Sequence, residues 1–389
     1  MSLKTSLDAV LKRGADAGDV PGVVAVLTDR NGTLYEGAFG KRKLGAPDEM
    51  TVDTVGLIAS MTKAITSVAA MQLVEQGKLE LEAPASKWLP DLGKLEVLEG
   101  FGADGKPRTR APKRPITLKH LLTHTAGFGY EFLSQTVQKI KAATGIPAFT
   151  SSEYASLKMP LLFDPGDRYE YGINTDWAGL LVQQASGMKL SEYLAKHLLG
   201  PLGMTDSAIV IRPDMRKRLA SIHARTPDGT LVPIELELPQ QPETEMGGQA
   251  LYGTAPDYLK FVRMLLNEGQ GANGRVLKPE TVKQLSSNQI GALDVPTFKT
   301  ANPQLFNDLP MPADNPQKWS LAFLVNTKPM PTGRPAGSLM WAGICNSYYW
   351  IDPTTGIGGV YLTQILPFAD IKSLPLFLEF ETTAYRQLQ

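Results

Sequence analysis

Cysteine is almost missing from this chain. Its 389 residues include one, Cys345, so no disulfide can form within it. Histidine is scarce too: His120, His124, His197 and His223 are the whole supply, and any histidine-based mechanism or histidine metal site must draw on these four. Net charge is absent, with 39 Lys plus Arg against 39 Asp plus Glu. That balance argues against a nucleic-acid partner, which normally meets a basic excess or a basic face, and against an acidic solvating tail. No run of about 18 apolar residues occurs, so no membrane span is expected. Charge recurs early, at Lys4, Asp8, Lys12 and Arg13, which leaves no apolar stretch of signal-peptide length. A cytoplasmic location is expected, or a periplasmic one if a leader has been removed.

What the chain does have is enough apolar material for a core, 43% hydrophobic against 20% charged residues. At roughly 150 residues per domain it has room for two or three. Residues 3–17 read as an amphipathic helix, and 23–27 and 33–35 as two strands joined at Asn31-Gly32. That dipeptide is a hairpin signal because it tolerates positive φ at both turn positions. Residues 60–76 read as a helix with Ile65, Val68, Ala69, Leu73 and Val74 on one face and Gly77 as its C-terminal cap. Residues 81–129 are rich in Pro and Gly, with a short helix at 118–122. Helical periodicity returns at 132–143, 177–185, 190–199 and 257–267. The last third turns to aromatic and β-branched runs at 319–325, 339–344, 348–351 and 359–365, closed by a helix over 374–386. The expected class is α/β of the α+β type. An antiparallel sheet is built from both ends of the chain and flanked by helices. Residues 1–80 and 175–389 form this discontinuous sheet domain, and 81–174 a smaller, mostly helical one. Five cations, Lys106, Arg108, Arg110, Lys113 and Arg114, crowd one stretch. They read better as a solvated, proline-stiffened loop than as an anion site.

Three segments can carry chemistry. In Ser60-Met61-Thr62-Lys63 at a helix start, residues three apart share a face, so an ammonium can reach the hydroxyl. Serine is a nucleophile only when a base takes its proton, and a lysine is a base only when neutral, a state favoured by burial or a neighbouring phenol. The plainer reading is an N-cap serine and a solvated lysine. Tyr171 closes a Pro-Gly turn segment and can supply that phenol, or can pack as an ordinary aromatic. In Met340-Trp341-Ala342-Gly343-Ile344, two small residues leave a strand edge open to a ligand. The amides of Ile344 and Ser60 can then hold an oxyanion. The alternative is an ordinary strand with a glycine bulge.

Taken together and in this order, Ser60-x-x-Lys63, Tyr171 and Trp341-Ala342-Gly343 resemble the three motifs of the serine β-lactamase and penicillin-binding-protein superfamily. The segments Leu121-Leu122-Thr123-His124-Thr125-Ala126-Gly127, Leu199-Gly200-Pro201-Leu202-Gly203-Met204 and Gly247-Gly248-Gln249-Ala250-Leu251-Tyr252-Gly253-Thr254-Ala255-Pro256-Asp257-Tyr258 strengthen the likeness, which runs from about residue 20 to 363 and points to the class C branch. Within it the chain is most similar to family VIII carboxylesterases. Asn174 falls one place late for a Tyr-x-Asn motif, and Trp341 stands where penicillin-type enzymes have Lys or His. Loss of that cation argues against efficient lactamase or peptidase activity, and nitrocefin turnover is expected to be weak or absent.

The resemblance implies a β-lactamase-like fold and a carboxylesterase acting on short- to medium-chain esters through a Ser60 acyl-enzyme. Lys63 and Tyr171 would be the general-base pair, and the Ser60 and Ile344 amides the oxyanion hole. Trp341 and Gly343 would line the substrate pocket, Tyr130 the entrance, and Asp176 would support the Lys63–Tyr171 network. Activity should fall at acidic pH as that pair takes up a proton. An acyltransferase using the same acyl-enzyme and a weak β-lactamase are the alternatives; a non-catalytic penicillin-recognising protein fits the full set of motifs less well. No metal and no cofactor are expected. His120 and His124 lack the glutamate of H-E-x-x-H, and His124 reads as a loop-ordering residue. G-x-S-x-G is absent. Cys345 reads as a buried, inert thiol, and residues 292–318 as a loop that shapes the pocket.

Overall fold

The computed structural model describes residues 2–388. Helix α1 (Leu3–Asp16) is capped by Ser2, whose hydroxyl accepts from the Thr5 amide, and buries Leu7, Val10 and Leu11 along one stripe. Strands β1 (Gly22–Thr28) and β2 (Thr33–Gly40) then form an antiparallel hairpin. The hairpin falls where Asn31-Gly32 predicts it, but neither residue takes positive φ. Asp29 makes the turn instead: its Oδ1 accepts from the amides of Asn31 at 2.7 Å and Gly32 at 2.8 Å. A bulge between Leu27 and Thr28 adjusts the register. An aspartate that bonds amides just ahead of it closes a turn without left-handed backbone.

Helix α2 (Thr62–Glu75) is buried on every side from Thr62 to Leu73, not on the single face expected. Its small residues, Ala64, Ser67, Ala69 and Ala70, let neighbouring elements close around it. Strands β3 (Val97–Phe101) and β4 (Pro107–Arg110) pair as a hairpin, followed by α3 (Leu118–Leu122), α4 (Gln135–Thr144), α5 (Asn174–Ser186) and α6 (Ala255–Leu266). Of the basic stretch, residues 107–110 are therefore strand and not loop. Arg110 is clasped: it grips the Asp164 carboxylate through both Nη1, at 2.9 Å, and Nη2, at 2.7 Å, and the Lys113 amide adds a third bond. Arg110 holds the Asp164 carboxyl well below the usual carboxylate range. This clasp fixes the turn that leads into Tyr171.

The remaining strands of the main sheet are β5 (Gln317–Trp319), β6 (Leu324–Asn326), β7 (Leu339–Gly343), β8 (Ser347–Asp352) and β9 (Ile357–Leu362), and the last helix is α7 (Ser373–Leu388). The run 319–325 is thus two strands, not one. Ser320 breaks it, because its hydroxyl accepts from the amides of Ala322 and Phe323 and reverses the chain. The run 359–365 also divides: β9 stops at Leu362, and Ile365–Leu366 pairs in a separate three-stranded sheet with Ile222–Arg225.

The main sheet has seven strands in the order β5-β6-β7-β8-β9-β1-β2, each pair antiparallel, and so joins both ends of the chain as expected. Side chains alternate along β8. Tyr348 and Trp350 meet Phe377 of α7, while Tyr349 meets Tyr258 of α6 on the opposite face. Each fully buried ring or branched aliphatic on these faces contributes about 1.5–3 kcal/mol of transfer free energy. Among the described residues no helix is long and apolar enough to cross a membrane.

Candidate active site

The turn Ala59–Met61 lies immediately before α2 and presents Ser60. Ala59 is held at φ 44°, a left-handed backbone that costs a non-glycine residue roughly 1–3 kcal/mol and that surrounding contacts must enforce. Those contacts are visible. The Ile58 amide donates to Leu251 O at 3.0 Å, Thr62 Oγ1 accepts from the Leu251 amide at 3.1 Å, and Tyr258 Oη donates to Met61 O at 2.9 Å. From the other side comes the end of β7. A Cβ on Gly343 would sit 2.4 Å from Ile58 O, so glycine alone lets the strand approach this closely. The approach brings Ile344, the next residue, beside the turn that carries Ser60.

Ser60 is not an N-cap, for α2 has no side-chain cap at its start. Its Oγ accepts instead from Lys63 Nζ at 3.0 Å. Lys63 is 1% exposed, far from the solvated first-turn lysine of the plainer reading. Its Nζ also donates to Gly248 O at 2.8 Å and Tyr130 Oη at 3.1 Å, and it lies 4.7 Å from the centre of the Tyr171 ring. Tyr130 therefore holds the phenol oxygen bonded to Lys63, although its expected place was the entrance. Tyr171 offers Lys63 its ring face, and its Oη accepts from Trp341 Nε1 at 3.0 Å. Burial pushes the Tyr130 phenol well above its ordinary value, and the nearby Asp176 charge adds to this.

Asp176 is buried on α5 and accepts from the Gly248 amide at 2.8 Å. Gly248 thus links Asp176 to Lys63, its N–H facing the carboxylate and its C=O facing Nζ. A Cβ there would fall 2.8 Å from Asp176 Oδ1, which excludes any other residue without displacing the carboxylate. The Gly247-Gly248 pair was legible as part of a recognisable segment, but nothing in the sequence assigned it this bridging place. Burial pushes the Asp176 carboxyl up to about 6, against the opposing pull of Lys63 and the Gly248 amide.

The histidines stand apart from this chemistry, since the bonds of Ser60 and Lys63 run to none of them. His124, at φ 57°, is buried behind Tyr171 with ring centres 4.8 Å apart, bonds Asn174 Nδ2 through Nδ1, and accepts the Glu170 amide at its carbonyl. It orders the loop that carries Tyr171. Burial, assisted by Lys63, holds its imidazole well below the ordinary value, so it is neutral at neutral pH. His120 caps α3, its Nδ1 accepting from the Thr117 amide. Burial pushes the Cys345 thiol up to about 12, leaving it unreactive. Among the described residues no group of three or more His, Cys, Asp or Glu is placed to hold a metal ion.

Ser60, Tyr171, Trp341, Gly343 and Ile344 line one cavity of about 320 Å³. Sequence reasoning missed much of its remaining wall: Phe132, whose ring packs with Tyr130, Phe298, whose ring packs with Tyr171 and Trp341, and Phe306, stacked on Phe132. Phe298 and Phe306 come from the 292–318 segment, which does shape the pocket as expected.

The site has a testable pH dependence. A proton passing from Ser60 to Lys63 would create a cation that an ionised Asp176 stabilises. Below pH of about 6 that carboxyl is protonated and the stabilisation is lost. Ester turnover should therefore fall as pH drops through about 6. Asp176→Asn should lower the plateau about tenfold, equivalent to about 1.4 kcal/mol, and abolish the inflection. An unchanged inflection in the Asn variant would rule out Asp176 as its source.

Comparison with known proteins identifies the family. The β-lactamase family model matches residues 7–376. Monacolin J acid methylbutanoyltransferase of Aspergillus terreus is 31% identical over 399 residues, spanning 98% of this chain and 96% of that protein. Lovastatin esterase of Penicillium rubens is 31% identical over 386 residues, spanning 94% and 96%. Unliganded simvastatin synthase (LovD) from Aspergillus terreus superposes with a TM-score of 0.86 at 29% identity, over 99% of this chain and 98% of that one. EstCE1, described as a hydrolase with promiscuous acyltransferase activity, shares the fold with a TM-score of 0.78 at 23% identity, over 98% of each chain. The relatives include both acyltransferases and esterases, and the chain belongs to the β-lactamase family of serine enzymes that work through an acyl-enzyme.

Proposed function

We propose that the protein is a carboxylic ester hydrolase of the family VIII type. The observation that carries this reading is the Ser60–Lys63 hydrogen bond inside an apolar cavity with no cation at Trp341. In the first half-reaction Ser60 Oγ attacks the ester carbonyl carbon while its proton passes to Lys63 Nζ. The carbonyl oxygen becomes an oxyanion facing the Ser60 and Ile344 amides. The C–O bond to the leaving alkoxide then breaks, and that oxygen takes up a proton from the Lys63–Tyr171 pair. Tyr171 suits this step: its Oη accepts from Trp341 Nε1, so its own proton is free for donation. In the second half-reaction water attacks the acyl carbon, gives its proton to Lys63, and Ser60 leaves reprotonated. Trp341 and Gly343 line the substrate pocket and Tyr130 anchors Lys63. No step needs a metal or cofactor.

Acyl transfer to an alcohol is the second reading, and two observations favour it. One relative is a methylbutanoyltransferase, and the rings of Phe132, Phe298 and Phe306 give the cavity an apolar wall that suits an organic acceptor. The two readings separate on one experiment. p-Nitrophenyl butyrate is incubated with and without a primary alcohol, and acid and ester products are quantified. Butyric acid as main product supports hydrolysis, butyrate ester as main product supports transfer, and no p-nitrophenol release by the folded protein contradicts both. The missing cation at Trp341 also fits nitrocefin turnover well below that of the p-nitrophenyl ester.

A further inference from the structure

The cavity at Ser60 does not stay on one face of the sheet. Strand β6 pairs with β7 at Leu339 and Met340 alone, which leaves the Trp341-Ala342-Gly343 edge without a strand partner on that side. Side chains alternate along β7. Trp341 lies on the face of Tyr171, whereas Ala342 lies opposite Tyr348 on the face that α7 covers. Both sets line the same cavity, together with Leu374, Phe377 and Leu378 of α7. The space therefore begins at the nucleophile, passes the open edge of β7, and continues beneath α7. At its far end Leu378 is 36% exposed, so this second arm reaches the surface.

The chemistry of the arm is uniform. Most of its polar groups are matched within the protein: Tyr348 Oη donates to Asn346 and Gln317 Nε2 to Asn315 O, while the Arg334 charge is balanced by Glu381 at 2.7 Å although its buried Nη1 has no hydrogen-bond partner. With the Arg334 charge balanced by Glu381, most of the remaining lining is hydrocarbon and favours an apolar ligand. Small Ala342 on the strand and the flexible side chains of Met330 and Met340 suit a sliding apolar chain.

We propose that the arm beneath α7 binds an extended hydrocarbon chain of the ester whose carbonyl sits at Ser60. This rests on the ester reading given above and specifies its substrate class. From Gly343 back to Met340 the strand covers roughly 10 Å at about 3.4 Å per residue, which matches a chain of roughly eight carbons. The chain can belong to the acyl group or to the alcohol, since both are attached to the same carbonyl. Short esters fill the nucleophile end alone, whereas esters with one long chain also occupy the arm and gain its apolar contacts.

Two substrate series test this with wild type and with Leu378→Glu. The substitution is on an exposed position at the mouth of the arm and should leave folding intact, which thermal unfolding checks. The first series is p-nitrophenyl acetate, butyrate, octanoate and decanoate. The second is the methyl, butyl, octyl and decyl esters of butyric acid. In wild type, kcat/KM should rise at least about tenfold from the short to the eight-carbon member of one series, the gain of about two buried methylenes. Leu378→Glu should remove most of that rise while leaving the shortest ester within about twofold. The series that responds identifies the side of the ester that enters the arm. A length profile identical in the two proteins for both series overturns the proposal, even if short esters are turned over normally. Absence of turnover for every ester by wild type overturns the ester reading itself.

Discussion

Ser60→Ala is expected to reduce kcat for p-nitrophenyl butyrate by about 10³- to 10⁶-fold, with the fold intact. Removing the hydroxyl removes the atom that forms the acyl bond, and no second nucleophile is at hand: Cys345 is buried with its thiol pushed up to about 12. Lys63→Ala should approach the same loss, about 10²- to 10⁴-fold, because Lys63 is the side chain bonded to Ser60 Oγ and is proposed to remove its proton. The two phenols should then part company. Tyr171→Phe deletes a proton donor in the cavity and should cost at least about 10²-fold. Tyr130→Phe deletes one hydrogen bond to Lys63, worth about 1.5 kcal/mol, and should cost about tenfold. Steady-state kinetics on the four variants measure this ranking. A Tyr130→Phe loss larger than that of Tyr171→Phe would exchange the roles of the two residues.

Arg334→Ala should destabilise the fold by about 3–5 kcal/mol. Arg334 is 1% exposed and Glu381 0%, with Nε 2.7 Å from Oε1. The contact is an ion pair more than an aligned hydrogen bond, since neither Glu381 oxygen accepts a bond in good geometry. Burial pushes the Glu381 carboxyl up, and Arg334 opposes that shift. Without the guanidinium, α7 would carry an unbalanced carboxylate against the sheet. Urea unfolding should show the loss, and pairing Arg334→Met with Glu381→Leu should restore most of it, because a buried apolar pair of similar volume avoids the desolvation cost. A single variant as stable as wild type would mean that water reaches the pair.

Which features could be read from sequence depends on how far apart the interacting residues are. The Ser60–Lys63 contact is three residues long, so helical spacing alone reveals it. The seven-stranded sheet follows from aromatic and β-branched runs near both ends of the chain. The elements that came out differently were each redirected by a single side chain or by packing. Asp29 closes the first hairpin without left-handed φ, Ser320 splits a strand in two, and neighbours surround α2 where periodicity showed one apolar face. The Tyr130–Lys63 bond spans 67 positions, and the Asp176–Gly248–Lys63 bridge spans more. Contacts at such separations are set by the tertiary fold, and no local pattern encodes them.

The central claim is a covalent acyl-enzyme at one serine. It is tested most directly by trapping the enzyme with a p-nitrophenyl ester at acidic quench and mapping the modified peptide by mass spectrometry. A single acyl adduct on Ser60, lost in Ser60→Ala, is expected. An adduct on another residue, or burst release of p-nitrophenol with Ser60 unmodified, would contradict it.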